Sequence, residues 1–177
     1  MKICPTKGLQ PTLMEAGING ILTPMLVSRI GGCEKDCTGC GKICPTSAIR
    51  NLSQEEKTYA KIGTAVIDKE RCIAWAEQKN CLICDEACPY NAIDSIARTI
   101  DNISLLRPTV RKDICMGCGI CESRCPVERD SAIQIFSIGE ERRKYGSYIT
   151  KEKFLLKRPE NTFENSPENI PSGFITQ

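Results

Sequence analysis

Residues 115–126 read Cys115-Met116-Gly117-Cys118-Gly119-Ile120-Cys121-Glu122-Ser123-Arg124-Cys125-Pro126. This is the pattern C-x2-C-x2-C-x3-C-P, the spacing by which cysteine thiolates bind one of a pair of [4Fe–4S] clusters. The first three cysteines are close enough along the chain to reach three corners of one cluster, whereas the fourth ligates the other cluster. Because proline at the first turn of a helix loses no hydrogen bond, Pro126 predicts that a short helix begins at Cys125.

Composition separates this interpretation from a zinc site and from a disulfide framework. The 177 residues include 13 cysteines and no histidine, and only 5% of them are aromatic. Zinc usually binds two well-separated pairs of ligands, often with histidine. Disulfides need an oxidising compartment and usually join scattered cysteines, whereas these cysteines lie in tight groups. The sequence therefore predicts inorganic clusters that also stabilise a small, aromatic-poor core.

Charge and hydropathy exclude several partners. The formal net charge of +2 argues against a nucleic-acid or anionic-membrane surface. The longest apolar stretch, residues 18–30, is interrupted by Asn19, Gly20, Pro24 and Arg29 and is too short to cross a bilayer. No signal-peptide pattern is present in the chain. We predict no nucleic-acid partner and no transmembrane segment in this chain.

A repeated pattern, Cys-Pro-x-x-[Ala/Gly]-[Ile/Leu], organises the chain. It begins without a gap at Cys4, Cys44 and Cys88, and a fourth copy at Cys125 carries a three-residue insertion. The second unit reads Cys33-x3-Cys37-x2-Cys40-x3-Cys44-Pro45, and the third reads Cys72-x8-Cys81-x2-Cys84-x3-Cys88-Pro89. Four Cys-Pro copies, interpreted as four helix starts, predict four half-units and hence two dicluster modules.

The predicted fold class is α+β, with tandem bacterial 2[4Fe–4S] ferredoxin-like modules built from short strands and short helices. Residues 1–63 form an incomplete dicluster module, residues 64–138 a complete one, and residues 139–177 a charged and then Pro/Asn-rich tail. The tail is either disordered or an extended arm that lies on a partner or on its own domain.

Local signals place several elements. Ser53 begins a capping box that predicts a helix over residues 54–61, and Thr12 begins a weaker one that predicts a helix ending near Gly17. Residues 64–68 are apolar and β-branched and predict a strand. Residues 92–103 predict a hairpin, and residues 108–111 predict the strand that leads to Cys115.

The rule that the fourth cysteine ligates the partner cluster assigns the ligands. One cluster would be bound by Cys72, Cys81, Cys84 and Cys125, and a second by Cys115, Cys118, Cys121 and Cys88. A third would be bound by Cys33, Cys37, Cys40 and Cys4. The eight-residue gap after Cys72 leaves open a three-iron cluster without that ligand.

Cys44 remains after twelve cysteines are assigned. By the same rule it ligates a fourth cluster, whose other three ligands would precede Cys4. The repeat therefore predicts an N-terminal truncation of a longer parent, in which a Cys-x2-Cys-x2-Cys run ends just before Met1. The alternative is a natural three-cluster protein in which Cys44 is a free thiol.

A rival motif lies in the second unit. Cys33-x3-Cys37-x2-Cys40 is also the radical-SAM spacing, in which three cysteines leave one iron open. Two features argue against it. Cys44-Pro45 follows in ferredoxin register, and the next unit begins within thirty residues, which leaves no room for the barrel that radical-SAM chemistry needs.

The unequal spacings support a resemblance to a known family. Residues 31–49, 56–57, 62–68, 71–75 and 81–90 resemble the MauM/NapG family of polyferredoxins, and the similarity extends over roughly residues 4–138. The resemblance implies four [4Fe–4S] clusters and electron transfer between a membrane quinol-side partner and an extracytoplasmic reductase or dehydrogenase. It also implies a periplasmic or membrane-associated location and a twin-arginine signal upstream; without such a signal the protein would be cytoplasmic.

From the residues alone, the predicted function is single-electron relay without a substrate site. A cluster bound by four thiolates has no open iron, and no histidine or activated nucleophile is evident. Lys35, Lys42 and Arg124 lie next to predicted ligands, either as solvated charges or as groups that raise cluster potentials. The alternatives are a fixed iron–sulfur subunit of a molybdopterin-type oxidoreductase and, from another class, a structural zinc or nucleic-acid-binding module.

Overall fold

Small helices and two-stranded sheets make up the fold. The computed structural model describes residues 2–14, 17–100, 103–151 and 153. Its elements, in chain order, are β1 (Leu9–Pro11), a 3-10 turn (Ile18–Gly20), β2 (Pro24–Leu26), α1 (Gly39–Ile43), α2 (Gln54–Tyr59), β3 (Thr64–Ile67), α3 (Ile73–Ala76), α4 (Ile83–Glu86), β4 (Ile93–Ile100), β5 (Ile103–Val110), α5 (Ile120–Arg124) and β6 (Ile133–Phe136). Among the described residues, no helix has the length and apolar character needed to cross a membrane.

The strands form three antiparallel pairs, β1–β2, β3–β6 and β4–β5. β3, the predicted β-branched strand, pairs with β6 so that Thr64 opposes Phe136 and Ile67 opposes Ile133. A hairpin forms here, but the predicted range of residues 92–103 contains little more than its first strand. β4 pairs with β5 over eight residues on each side, and most of the predicted strand at residues 108–111 is the end of β5. The β3–β6 pair brings the two ends of residues 64–138 together over a buried core that contains Ala65, Ile93 and Ile133.

The predicted position of the Cys-Pro helices is wrong. α1 and α5 precede the cysteine, and each ends with it as C-cap: Cys44 (φ −68°, ψ 110°) and Cys125 (φ −61°, ψ 126°) are extended. A residue before proline is sterically disfavoured in helical conformation, so Cys-Pro ends a helix here and does not begin one. A turn follows instead. The amide three residues on bonds the cysteine carbonyl after Cys4, Cys44 and Cys88, and that third residue has positive φ each time, at Lys7, Ser47 and Asn91.

The two capping-box predictions have different outcomes. At α2, the Ser53 hydroxyl accepts a hydrogen bond from the Glu56 amide at 3.1 Å, as predicted, and the helix ends at Tyr59, two residues early. At residues 12–14 no helix forms, and residues 15 and 16 lie outside the described ones. Buried Thr12 instead donates its hydroxyl hydrogen to the carbonyls of Gly20 and Thr23, which closes a loop beneath the unpredicted β1–β2 pair.

Residues 1–63 pack closely against the segment around α5. Arg29 donates hydrogen bonds from its guanidinium to the carbonyl oxygens of Glu122, Cys125 and Val127, at 3.1, 3.0 and 2.8 Å. A Cβ added to Gly32 would lie 2.5 Å from the backbone nitrogen of Ile120. The chain here approaches α5 so closely that only a glycine fits at position 32.

The beginning of the predicted tail is folded onto the domain. Tyr148 is only 7% exposed, and its hydroxyl accepts a hydrogen bond from the Arg143 amide. Its amide donates to Glu56 of α2 at 3.0 Å. Up to residue 153 the described part of the tail therefore lies on its own domain, while residues 154–177 are outside the description.

Candidate metal centres

Twelve of the thirteen cysteines surround three cavities, in three groups of four. Cavity A is lined by Cys4, Cys33, Cys37 and Cys40. Cavity B is lined by Cys88, Cys115, Cys118 and Cys121. Cavity C is lined by Cys72, Cys81, Cys84 and Cys125. The structure thus brings together the same quartets that the crossing rule groups, including Cys72 despite its long gap.

The cavities differ in size and lining. Cavities B and C have volumes of about 310 and 350 Å³, including space open to solvent, and apart from cysteines their walls are mainly apolar. Cavity A is larger, about 1060 Å³ including space open to solvent, and Arg50, Lys57 and Glu34 contribute to its wall. Among the described residues, no three Cys, Asp or Glu side chains have the arrangement of a single-ion site.

The helices and turns explain how each quartet meets. α1, α4 and α5 each carry one cysteine as their second residue: Cys40, Cys84 and Cys121. Left-handed Gly119 (φ 81°) immediately precedes α5, and left-handed Gly117 (φ 72°) lies so close to Gly63 that an added Cβ would meet its backbone at 2.5 Å. These two glycines let the loop turn tightly around cavity B.

Burial makes several thiols of cavities B and C poor acids by themselves, because it raises their pKa. It raises the pKa of Cys84 to about 12, and repulsion from the neighbouring Cys72 and Cys81 adds to the effect. Burial likewise raises the pKa of Cys118 to about 12, and it raises the pKa of Cys121. Four buried thiolates repel one another unless positive charge lies between them, and bound metal deprotonates a coordinating thiol outright. This donor set fits an iron–sulfur cluster.

Several sulfur atoms already accept hydrogen bonds. The amide of Ala65 donates to Cys115 Sγ at 3.4 Å, and the amide of Ala92 donates to Cys88 Sγ at 3.3 Å. Hydrogen bonds to ligand sulfur, together with burial and charge, set the potential of such clusters.

Cavity B adjoins both cavity A and cavity C. The Cys33 amide donates a 2.6 Å hydrogen bond to the carbonyl oxygen of Cys118, which joins the walls of A and B. Cys84 of cavity C packs against the same core cluster that contains Cys121 of cavity B. The arrangement provides a continuous series of three sites.

Cys44, predicted to ligate a fourth cluster, lines none of these cavities. Its sulfur accepts a hydrogen bond from the Ile49 amide at 3.4 Å and contacts the Thr46 hydroxyl at 3.6 Å. These two hydrogen bonds lower its pKa. Cys4 has the corresponding threonine contact, Thr6 Oγ1 at 3.3 Å. Cys44 therefore has the same local threonine contact as Cys4, a member of the cavity A quartet, but it lies outside all three quartets.

One polar contact in the site is absent from the sequence-based predictions. Lys57 Nζ donates a hydrogen bond to Cys33 Sγ at 3.1 Å. Of the three cations singled out by sequence proximity, Lys42 and Arg124 are exposed, and Lys35 bonds the Pro89 carbonyl and covers the Tyr90 ring. No sequence pattern indicated the contact of Lys57 with Cys33, because the two residues are distant along the chain and meet only where α2 packs against the cavity.

Comparison with known proteins agrees with this donor set. The family described as "4Fe-4S dicluster domain" matches residues 79–129, a range that excludes Cys72. The methylamine utilization ferredoxin-type protein MauM of Methylorubrum extorquens AM1 is 36% identical over 132 residues, covering 71% of this chain and 57% of that protein. The ferredoxin-type protein NapG of Escherichia coli K12 is 31% identical over 137 residues, covering 73% and 58%. NapG of Haemophilus influenzae is 33% identical over 133 residues, covering 69% and 43%.

The chain spans little more than half the length of the first two relatives. The matched domain and the cysteine quartets together identify [4Fe–4S] clusters as the cofactors of this chain.

Proposed function

Because this chain is a ferredoxin-type protein of the MauM/NapG family, we propose that it relays single electrons through three [4Fe–4S] clusters. The observation that carries the proposal is the grouping of four cysteines around each of cavities A, B and C. Clusters of this kind, when bound, accept and release one electron at potentials that the surrounding protein adjusts.

The residues of the chain would ligate the clusters, exclude water from them and hold neighbouring clusters next to one another. In cavity A, the presence of Cys4 beside Cys33, Cys37 and Cys40 favours four-thiolate ligation over the radical-SAM arrangement with three. With four thiolates to each cluster, no iron would be open to a substrate, so the protein would be a carrier and not an enzyme. The apolar walls of B and C would exclude water from their clusters.

The order of the cavities supports a linear relay. The Cys33–Cys118 hydrogen bond connects A with B, and the core shared by Cys84 and Cys121 connects B with C. Electrons entering at one end of this series would leave at the other. The tandem-module organisation, with residues 1–63 as an incomplete module, is part of the same proposal.

The partners would be two redox proteins, one on the membrane quinol side and one reductase or dehydrogenase. This follows from the likeness to NapG and MauM, as does a periplasmic or membrane-associated location. The bound clusters would change the charge of the chain from +2 to about −4, since each four-thiolate cluster carries about −2. Partners with basic docking surfaces are therefore expected.

Iron and acid-labile sulfide analysis of anaerobically purified protein, combined with EPR of the reduced form, tests the proposal. We expect about twelve iron atoms per chain and signals from three interacting clusters. A Cys44→Ser variant serves as control and should retain the full content. Zinc in place of iron, or about eight iron atoms or fewer, would contradict the three-cluster relay. Stable co-purification with a large catalytic chain would instead favour a fixed subunit.

A further inference from the structure

Lys57 gives cavity A a feature that the other two cavities lack. Its ammonium group donates a hydrogen bond to Cys33 Sγ at 3.1 Å and lies in the wall of the cavity. The described residues that line cavities B and C include no lysine or arginine. In cavity B, Cys115 and Cys88 accept hydrogen bonds from the uncharged backbone amides of Ala65 and Ala92.

The other charged residues in the wall of cavity A are Arg50 and Glu34. Arg50 also contributes to the wall, but its guanidinium forms a 2.9 Å salt bridge with Glu56. Glu34 is the acidic residue of the wall. Lys57 is the cation of this wall that contacts a cysteine sulfur directly.

The position of Lys57 is fixed by the fold. It lies in α2, whose first turn is capped by Ser53. Glu56, its neighbour, is bound by both Arg50 and the Tyr148 amide, while Lys153 Nζ donates to the carbonyl of Tyr59 at 2.9 Å. The folded part of the C-terminal segment thus holds α2, and with it Lys57, against cavity A.

Electrostatics gives this contact a redox consequence. One electron delivered by a reduced protein partner adds one negative charge to the cluster, and no bond is broken and no proton is exchanged. A cation at hydrogen-bond distance from a ligand sulfur stabilises the more negative, reduced form. All four cysteines of cavity A are only partly buried, whereas Cys115 and Cys121 of cavity B and Cys72 of cavity C are buried. Greater exposure to solvent favours the reduced form in the same direction.

We propose that Lys57 raises the reduction potential of the cluster in cavity A, so that this cluster is reduced before those in cavities B and C. The inference rests on the proposed function, because it requires a cluster bound by Cys4, Cys33, Cys37 and Cys40. It assigns cavity A as the site at which electrons collect within the protein.

An EPR-monitored redox titration of full-length holo-protein tests this role, with dithionite as reductant. The signal that disappears in Cys37→Ser identifies the cluster in cavity A. In wild type this signal should appear at the highest potential of the three. In Lys57→Met it should shift to lower potential by about 59 mV, the one-electron equivalent of a tenfold change in the equilibrium constant.

Two variants separate charge from packing. Lys57→Arg should restore most of the wild-type potential, and Lys57→Gln, which retains a hydrogen-bond donor without the charge, should remain low. Lys42→Met removes the same charge from an exposed side chain of α1 outside the cavity wall and should leave the potential unchanged.

The outcomes distinguish this inference from the proposed function. Absence of iron at cavity A in wild type would overturn the proposed function itself. Full iron content with an unchanged potential in both Lys57→Met and Lys57→Gln would overturn only the role of Lys57. If Lys57→Met fails to assemble the cluster, the potential of Lys57→Gln decides the question.

Discussion

The backbone amide of Cys33 donates a 2.6 Å hydrogen bond to the carbonyl oxygen of Cys118. The two residues line different cavities, A and B, and come from distant parts of the chain. Next to this bond, Gly32 faces the backbone of Ile120 with no room for a side chain. Residues 1–63 are therefore held against the following segment at the point where two cysteine quartets meet.

Gly32→Ala should weaken the connection between cavities A and B. The added methyl group would lie 2.5 Å from the Ile120 nitrogen, so the backbone must shift and the Cys33–Cys118 bond must lengthen. We expect reduced magnetic coupling between the two clusters in EPR spectra of fully reduced protein. Gly39→Ala is the control, because the atoms nearest to its methyl group belong to side chains: Ile3 Cγ1 at 3.1 Å and the ligand sulfur of Cys37 at an ordinary 3.8 Å. Identical coupling in both variants would show that the contact is not rigid.

Cys88→Ser should damage the cluster of cavity B, although Cys88 follows Cys81 and Cys84 in the chain. Cys88 lines cavity B with Cys115, whereas Cys84 lines cavity C. Cys84→Ser is the matched variant and should damage the cluster of cavity C. Iron content and EPR of the two variants should differ in which signal is lost. Loss of the same signal in both would refute the crossed ligation.

Arg29→Met should destabilise the holo-protein by about 3 kcal/mol, because three backbone carbonyls lose a charged donor. Cluster loss follows unfolding, so Arg29→Met should lose its visible absorption faster than wild type during thermal denaturation. Arg29→Lys should recover only part of the stability, since an ammonium group lacks the planar fork of guanidinium. Arg124→Met, at an exposed position, should bleach at the wild-type rate.

The fluorescence of Trp75 should be quenched in holo-protein and recover when the clusters are removed. Its ring packs against the buried group of Cys72, Ala74 and Ala132, and its indole nitrogen donates to the Pro108 carbonyl. Lys69 and Arg107 lie over the ring at 4.4 and 4.8 Å from its centroid. Steady-state emission before and after anaerobic chelation measures the change. Bright emission from the holo form would contradict proximity to a cluster.

Cys44 should be alkylated by iodoacetamide in holo-protein at a lower pH than an ordinary thiol. The Ile49 amide and the Thr46 hydroxyl lower its pKa, so the reactive thiolate is populated further below the usual value of 9.0. Thr46→Val removes one of these donors and should shift the rate profile to higher pH. Mass spectrometry locates the modified residue. Protection of Cys44 across the whole pH range would indicate that it already ligates metal.

Local patterns in the sequence predicted much of this protein. The C-x2-C spacing confines three thiols to one tight loop, the β-branched residues 64–67 form β3, and Ser53 caps α2. Each of these depends on neighbouring residues in the chain, and each agrees with the structure. Cys-Pro as a helix start is the exception, because the steric effect of proline on the preceding residue ends α1 and α5 at the cysteine.

Tertiary packing decided what no local pattern encodes. Three sets of contacts join residues that are remote in sequence. Lys57 contacts Cys33, Arg29 binds three carbonyls around α5, and buried Tyr148 bonds Glu56 of α2. Such contacts leave no periodic pattern in the sequence, because they depend on how separate elements pack against one another. The spacing of the cysteines along the chain therefore indicates which of them share a loop, whereas the packing of separate elements places a charge such as Lys57 beside one quartet.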